Sequence, residues 1–196
     1  MNYKFEKLIS NKGNLIDGPL HVYPKIFGDK RGFFYESWNE KEWINILQID
    51  SQKYNPFVQD NHSSSVRGVL RGLHFQLNPH AQAKLVRCIR GEIYDVAVDI
   101  RNNSKTFGEW VAVILNPTIN NQLWIPEGFA HGFLSLKEIN EINYKVTDYW
   151  SKDSEGSLIW NDVDLAIEWP IDKIGSKEIL LSEKDKMAPT LKEFSK

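Results

Sequence analysis

Short apolar runs, each closed by a turn signal, recur through the middle of the chain and constrain its fold more than any other feature. Within residues 93–100, apolar side chains alternate with Asp95 and Asp99, which is the two-residue period of a strand. Several such strands at short spacing predict a β sandwich, a barrel or a jelly roll. The predicted strands are residues 84–90, 93–100, 110–115, 122–125, 129–136 and 142–149.

One helix is predicted before these strands. Asn39 is a suitable N-cap, and Glu42 follows it three residues later, as in a capping box. The apolar stripe of this helix consists of Trp43, Ile44 and Leu47. The largely polar tail from Gly175 is expected to wrap the domain with short helical turns, so helix is the minority class.

Length and charge limit the classes of protein to which the chain can belong. Its 196 residues suit one domain, expected to span residues 1–196, and its formal net charge of −2 argues against nucleic-acid or membrane partners. No apolar run approaches the roughly 18 residues of a membrane span. The charged stretch 1–12 is not typical of a signal peptide. Cys88 is the only cysteine, which fits a reducing compartment, so we expect a cytoplasmic protein.

Five histidines raise the question of a metal site: His21, His62, His74, His80 and His131. Metal-binding jelly rolls usually show two histidines separated by one residue, with a glutamate nearby. No such His-x-His pair occurs here. Three of the histidines could still meet in the fold. The spacing therefore argues against a metal site, and a metal-dependent jelly-roll enzyme remains an alternative.

The stretch 68–76 contains the most informative histidine, His74. A regular strand would place Arg71 and His74 on opposite faces, whereas a bulge at Gly72 would break that alternation. Taken alone, His74 is explained as a hydrogen-bonded core histidine. Ordinary structural roles also exist for the other candidates: a strand end for Lys84, a core position for Tyr144 and a surface charge for Asp185.

Taken together, these residues lie in stretches that resemble the dTDP-4-dehydrorhamnose 3,5-epimerase family in order and spacing over nearly the whole chain. The matching stretches are 27–36, 58–63, 68–76, 84–88, 91–101, 106–108, 124–134, 144–147, 181–185 and 188–189. The resemblance implies a cupin-like jelly-roll homodimer that acts on a nucleotide sugar without a cofactor or a metal. It also implies inversion of C3 and C5 of dTDP-4-dehydro-6-deoxy-D-glucose, which gives dTDP-4-dehydro-L-rhamnose for dTDP-L-rhamnose biosynthesis.

The resemblance assigns roles to individual residues. His74 is the implied catalytic base, and Asp185 is the carboxylate that orients it. Lys84 is implied to lie beside the keto oxygen, and Tyr144 to return a proton from the opposite face. The residues implied to contact the nucleotide, diphosphate or sugar are Arg31, Glu36, Gln59, Asn61, Arg71, His131, Glu155 and Lys184. Phe34 and Trp150 are candidates for stacking on the base.

These roles suit the chemistry of the side chains. A hydrogen next to a ketone is acidic because the resulting anion spreads onto oxygen, so a histidine with a pKa of about 6.5 can remove it. An ammonium group stabilises the enolate oxygen. Tyrosine, with a usual pKa of about 10, stays protonated and can donate to the other face. Arginine presents forked donors that match a diphosphate.

One residue departs from the family pattern. Many members have a second tyrosine six residues after the catalytic one, whereas this chain has Trp150. An indole can stack on a ring, but it cannot replace a phenolic proton donor. An epimerase that inverts only one position is therefore the nearest alternative. A metal-dependent cupin enzyme and a non-catalytic sugar-nucleotide-binding module are more distant ones.

Overall fold

Two antiparallel β-sheets pack face to face in the computed structural model, which describes residues 2–47, 54–175 and 178–195. The strands are β1 (Tyr3–Ile9), β2 (Leu15–Pro24), β3 (Phe27–Asp29), β4 (Gly32–Phe34), β5 (Gln59–Val66), β6 (Leu70–Gln76), β7 (Lys84–Arg90), β8 (Ile93–Asp99), β9 (Trp110–Leu115), β10 (Gln122–Ile125), β11 (Phe129–Ser135), β12 (Ile139–Val146) and β13 (Glu155–Ser157). One sheet has the order β1-β2-β10-β7-β12-β5 and the other β13-β6-β11-β8-β9, while β3 and β4 form a separate hairpin. This arrangement is the double-sheet jelly roll, as the sequence predicts.

An apolar core fills the space between the two sheets. Val86 and Leu123 from the six-stranded sheet pack there with Ala97 and Phe133 from the five-stranded sheet. Burial of these side chains removes apolar surface from water and holds the sheets together. Inward-pointing residues beyond this core can therefore line a cavity between the sheets.

Other segments cover the outer face of each sheet. The helix α1 (Glu40–Leu47) buries Trp43 and Ile46 against the six-stranded sheet, with the rings of Trp43 and Trp124 5.9 Å apart. The chain after β13 covers the five-stranded sheet with residues such as Leu165 and Trp169. This segment contains a 3₁₀ helix (Ile171–Ile174) and two short helices, α2 (Glu183–Lys186) and α3 (Leu191–Phe194).

A bulge in β6 confirms the expected break in alternation at Gly72. In the pairing of β6 with β11, His74 lies opposite His131 and Arg71 lies opposite Phe133, so β6 uses one residue more than its partner. Gly72 has a φ of +124°, and a Cβ there would lie 2.5 Å from the Cα of Gly132. Only glycine fits this close approach of two strands.

The strand predictions are accurate in the centre of the chain and less so at its ends. β7, β9 and β10 have the predicted bounds, whereas β12 lies three residues earlier than the predicted 142–149. The start of β12 was missed because Asn140 is polar and interrupts the apolar run. In the fold this residue is buried, and its amide donates to the carbonyls of Ser65 and Lys137. The strands β1 to β6 and β13 were not among the predicted ones.

The helix after Asn39 is confirmed, and the backbone N–H of Glu42 donates to the Asn39 side chain at 3.4 Å. Its most buried residues are Trp43 and Ile46, of which Ile46 lies outside the predicted stripe. Within the described ranges, no helix is both long and apolar enough to cross a membrane.

Candidate active site

A cavity of about 310 Å³ lies between the two sheets and collects most of the predicted site residues. Its walls come from both sheets and from the loop after β12. The predicted residues that line it are Gln59, Asn61, Arg71, His74, Lys84, His131, Tyr144, Trp150 and Glu155. Residues from separate parts of the sequence therefore meet in one concave site.

His74 and Asp185 form a hydrogen-bonded pair at this cavity. The Nε2 atom of His74 lies 2.5 Å from Oδ1 of Asp185, whose side chain is only 3% exposed. Burial acts to raise the pKa of Asp185, but hydrogen bonds from His74, Ser182 and the Gly72 backbone outweigh it, so that pKa is lowered. In the tautomer in which Nε2–H donates a hydrogen bond to the ionised carboxylate, Nδ1 keeps its lone pair and can act as a base.

Lys84 is a buried cation beside this pair. It begins β7 in the six-stranded sheet, and its Nζ donates to the backbone carbonyl of His74 at 3.1 Å. Burial lowers the pKa of Lys84 to about 8, although the charges of Asp95 and Glu155 oppose this shift. At neutral pH the group is an ammonium with little competing water, which is the environment in which a cation best stabilises a neighbouring anion.

Tyr144 lines the cavity from the sheet that faces His74. It lies on β12 of the six-stranded sheet, whereas His74 lies on β6 of the five-stranded sheet. Burial raises the pKa of Tyr144, with the charge of Arg71 acting in the opposite direction, so the phenol is protonated at neutral pH. A molecule between the two sheets would thus have a base on one side and a hydroxyl donor on the other.

Glu155 and Trp150 line the cavity, and Lys184 is paired with Glu155. Nζ of Lys184 lies 2.7 Å from a carboxylate oxygen of Glu155. Burial acts to raise the pKa of Glu155, but interactions with Lys184, Trp150 and His74 outweigh it and bring that pKa below its usual value. Trp150 itself is 59% exposed, so much of its surface is open to solvent.

Three predicted contacts lie outside the cavity of the single chain: Arg31, Glu36 and Phe34. Arg31 and Phe34 belong to the β3-β4 hairpin region, where the Arg31 guanidinium is paired with Asp29 at 2.5 Å. The carboxylate of Glu36 accepts a hydrogen bond from Asn2 at 2.9 Å. The structure of one chain therefore does not bring these three residues to the His74 site.

Some residues of the site were missed by sequence reasoning. Asp95 is fully buried and pairs with His131 at 2.7 Å, and its second carboxylate oxygen has no hydrogen-bond partner within the described ranges. Burial lowers the pKa of His131, against the influence of Asp95.

The two-residue period of a strand offered a signal for other cavity residues that sequence reasoning missed. Several of them lie two residues after a predicted site residue, and therefore on the same face of the same strand. The missed lining residues are Ser63, Phe75, Gln76, Gln82 and Phe133.

The histidines considered as metal ligands lie apart or are paired with carboxylates. His62 contacts Glu141 at 3.5 Å and His80 contacts Asp148 at 3.0 Å. Across the described part of the chain, no group of three or more His, Cys, Asp or Glu side chains has a geometry suited to hold a metal ion.

Comparison with known proteins identifies close relatives. Residues 14–193 match the family model described as dTDP-4-dehydrorhamnose 3,5-epimerase. The Salmonella typhimurium protein named dTDP-4-dehydrorhamnose 3,5-epimerase is 54% identical over 172 residues, which cover 88% of this chain and 90% of the relative.

Solved structures show the same likeness in three dimensions. The dTDP-6-deoxy-D-glucose-3,5-epimerase from Legionella pneumophila, in complex with dTDP-4-keto-L-rhamnose, is 46% identical with a TM-score of 0.85, covering 96% of this chain and 94% of that one. A 3′-monoepimerase from Streptomyces bikiniensis, in complex with dTDP-quinovose, is 34% identical with a TM-score of 0.82, covering 90% of this chain and 85% of that one.

The environment of Lys84 yields a testable prediction. In protein labelled with ¹³C at lysine Cε, the Lys84 resonance should titrate near pH 8, because burial disfavours the ammonium form. Asp95→Asn should lower this pKa further, since it removes a negative charge that favours the ammonium. Asp148→Asn is the control and should leave the pKa unchanged. A wild-type midpoint near the ordinary lysine value of about 10.4 would contradict the account.

Proposed function

The chain belongs to the dTDP-4-dehydrorhamnose 3,5-epimerase family, and from that membership we propose how its cavity performs the reaction. The protein is an epimerase that converts dTDP-4-dehydro-6-deoxy-D-glucose to dTDP-4-dehydro-L-rhamnose by inverting C3 and C5, a step of dTDP-L-rhamnose biosynthesis. The observation that carries the proposed mechanism is the placement of the His74–Asp185 pair and Tyr144 on facing sheets around one cavity.

His74 removes the proton in this proposal. Its Nδ1 lone pair takes a proton from the carbon next to the C4 keto group, and the ring becomes an imidazolium. Asp185 holds the ring by Nε2 and stabilises the positive charge that develops there. Because C3 and C5 flank the same keto group, one base on one side of the sugar can serve both carbons.

Lys84 stabilises the intermediate. Loss of the proton places negative charge on the C4 oxygen, and an ammonium group aimed at that oxygen lowers the energy of the enolate. The buried position of Lys84 strengthens this interaction, because the local dielectric is low. The keto group itself supplies the activation, so no step of the proposed reaction uses a redox cofactor or a metal.

Tyr144 completes the inversion by returning a proton to the opposite face of the carbon. The phenol loses its proton to the carbon and regains one from solvent, while the imidazolium of His74 releases the proton that it took. Return by His74 instead would restore the original configuration. Two groups on opposite sides of the sugar are therefore required for epimerisation, whereas one is enough for exchange with solvent.

The remaining lining residues bind the nucleotide sugar. Arg71 presents a guanidinium to the diphosphate, and Trp150 offers an exposed ring for the base. The other proposed contacts to the substrate in the cavity region are Gln59, Asn61, His131, Glu155 and Lys184.

The protein is proposed to be cytoplasmic. Its single cysteine, Cys88, is buried and forms no disulfide, as is usual for proteins of a reducing compartment. Cell fractionation would test this location.

A single-position epimerase is the second candidate function. The 34% identical 3′-monoepimerase from Streptomyces bikiniensis shows that close structural relatives include proteins named for one inversion. Trp150 also replaces the second tyrosine of many relatives. The number of inverted carbons is therefore determined by assigning the configuration of the product at C3 and C5, alongside the exchange experiment that tests the base.

Isotope exchange tests the proposed function. In D₂O, the wild-type protein should introduce deuterium at both C3 and C5 of dTDP-4-dehydro-6-deoxy-D-glucose. Proton NMR measures this exchange as the loss of the C3 and C5 proton signals. His74→Ala should slow exchange at both carbons by about 10²- to 10⁴-fold, because it removes the base. His62→Ala is a matched control, since His62 lies on β5 outside the cavity lining, and it should exchange like wild type.

Each other outcome identifies a different alternative. Rapid exchange by His74→Ala would show that another group is the base. Deuterium at only one carbon would favour the single-position epimerase. Loss of exchange after dialysis against a chelator, restored only by a divalent metal, would favour the metal-dependent enzyme.

We also infer a homodimer, which would reconcile the positions of Arg31, Glu36 and Phe34 with a role in binding. The hairpin that carries Phe34 exposes Phe27, Phe33 and Phe34 by 47%, 63% and 67%, a cluster that a second copy could cover. If that copy's cavity faces the hairpin, Arg31 would reach the partner's substrate.

Sedimentation velocity tests the dimer. The wild-type protein should have twice the 22.8 kDa chain mass, and Phe33→Asp should shift it towards monomer by placing a charge in the apolar contact. Val163→Asp, at a position 85% exposed elsewhere on the surface, should leave the mass unchanged. A wild-type protein that sediments as a monomer at all concentrations would contradict the inference.

A further inference from the structure

Arg71 differs from most other arginines of the protein in how its charge is used. Arg31, Arg90 and Arg101 each pair with a carboxylate. Arg71 lines the cavity and forms no ion pair within the described ranges. Its positive charge therefore remains available to an anionic ligand in the cavity.

A neighbouring strand fixes one edge of the Arg71 guanidinium. Nε of Arg71 donates to the hydroxyl of Ser65 at 3.2 Å, and Nη2 donates more weakly to the Ser64 carbonyl at 3.4 Å. Ser65 is 5% exposed, and β5 holds it in the ladder opposite Asn140 of β12. The acceptor is thus buried and rigidly placed, whereas the arginine side chain is long and flexible.

These two bonds leave most of the guanidinium open. Arginine has five N–H donors in a planar fork, and two of them are used by Ser65 and Ser64. The other three have no partner within the described part of the chain. Since the bonded edge is turned towards β5, the open edge can present paired donors to two phosphate oxygens at once.

We propose that Ser65 is a positioning residue that orients the Arg71 guanidinium for bidentate binding of the substrate's diphosphate. The inference rests on the proposed function, in which Arg71 binds that diphosphate. Ser65 acts through Arg71 and does not touch the ligand. Its contribution is to restrict the arginine before binding, so that less side-chain freedom is lost when the diphosphate arrives.

A double-mutant cycle with dTDP as the ligand tests this proposal, with dissociation constants measured by calorimetry. Ser65→Ala should weaken dTDP binding about 2- to 10-fold, which corresponds to the loss of one hydrogen bond. The same change made in Arg71→Ala protein should cause no further loss, because the group that Ser65 orients is absent. Ser64→Ala is the matched control, since it keeps the backbone carbonyl and alters only an exposed hydroxyl, and it should bind dTDP like wild type.

Thymidine, which carries no phosphate, separates positioning from a general effect on the fold. Its affinity, measured by ligand-observed NMR, should be the same in Ser65→Ala and wild-type protein. Equal weakening of thymidine and dTDP, additive losses in the cycle, or unchanged dTDP binding in Ser65→Ala would each overturn the proposal. If Arg71→Ala weakens dTDP binding and Ser65→Ala does not, the proposed function stands and only the role of Ser65 fails. If wild-type protein does not bind dTDP, both fail.

Discussion

The hydrogen bond between His74 and Asp185 joins two parts of the chain that are 111 residues apart. Asp185 lies on a helix of only four residues, which could not hold a carboxylate in place by itself. The tail that carries it is fixed to the sheet by backbone hydrogen bonds between Leu180 and residues Gly68 and Leu70. It is also held by the apolar cluster on the outer face of the five-stranded sheet. Orientation of the proposed base, His74, therefore depends on packing of the C-terminal segment.

The second constraint is the close approach of β6 and β11 at Gly72 and Gly132. It allows the extra residue in β6 that brings Arg71 and His74 to the same cavity. A regular strand would have turned one of them away, separating the proposed anion-binding group from the proposed base. The backbone of Gly72 also helps to lower the pKa of Asp185, so the bulge contributes both to the shape of the cavity and to the ionised state of the carboxylate.

Sequence periodicity located the central strands because their inward faces are largely apolar, as with Val86 and Cys88 of β7 and with β9. It failed where polar residues are buried, as at Asn140, since their partners lie on other strands. Residue-by-residue reasoning gave His74, Lys84 and Asp185 ordinary structural roles, and only the family resemblance grouped them. Asp95 escaped both approaches, although it alternates with apolar residues in a predicted strand, because its pairing with His131 is created by the fold. Side-chain contacts between strands that are far apart in the sequence have no local signal.

The proposed division of proton removal and proton return between groups on facing sheets is tested most directly by Tyr144→Phe. This change removes only the hydroxyl, so His74 can still take a proton and return deuterium to the same face. In D₂O, the account predicts that the variant exchanges substrate hydrogens while formation of the inverted sugar falls by about 10²-fold or more. Inversion by Tyr144→Phe at the wild-type rate, established by assigning the configuration of the product, would contradict it.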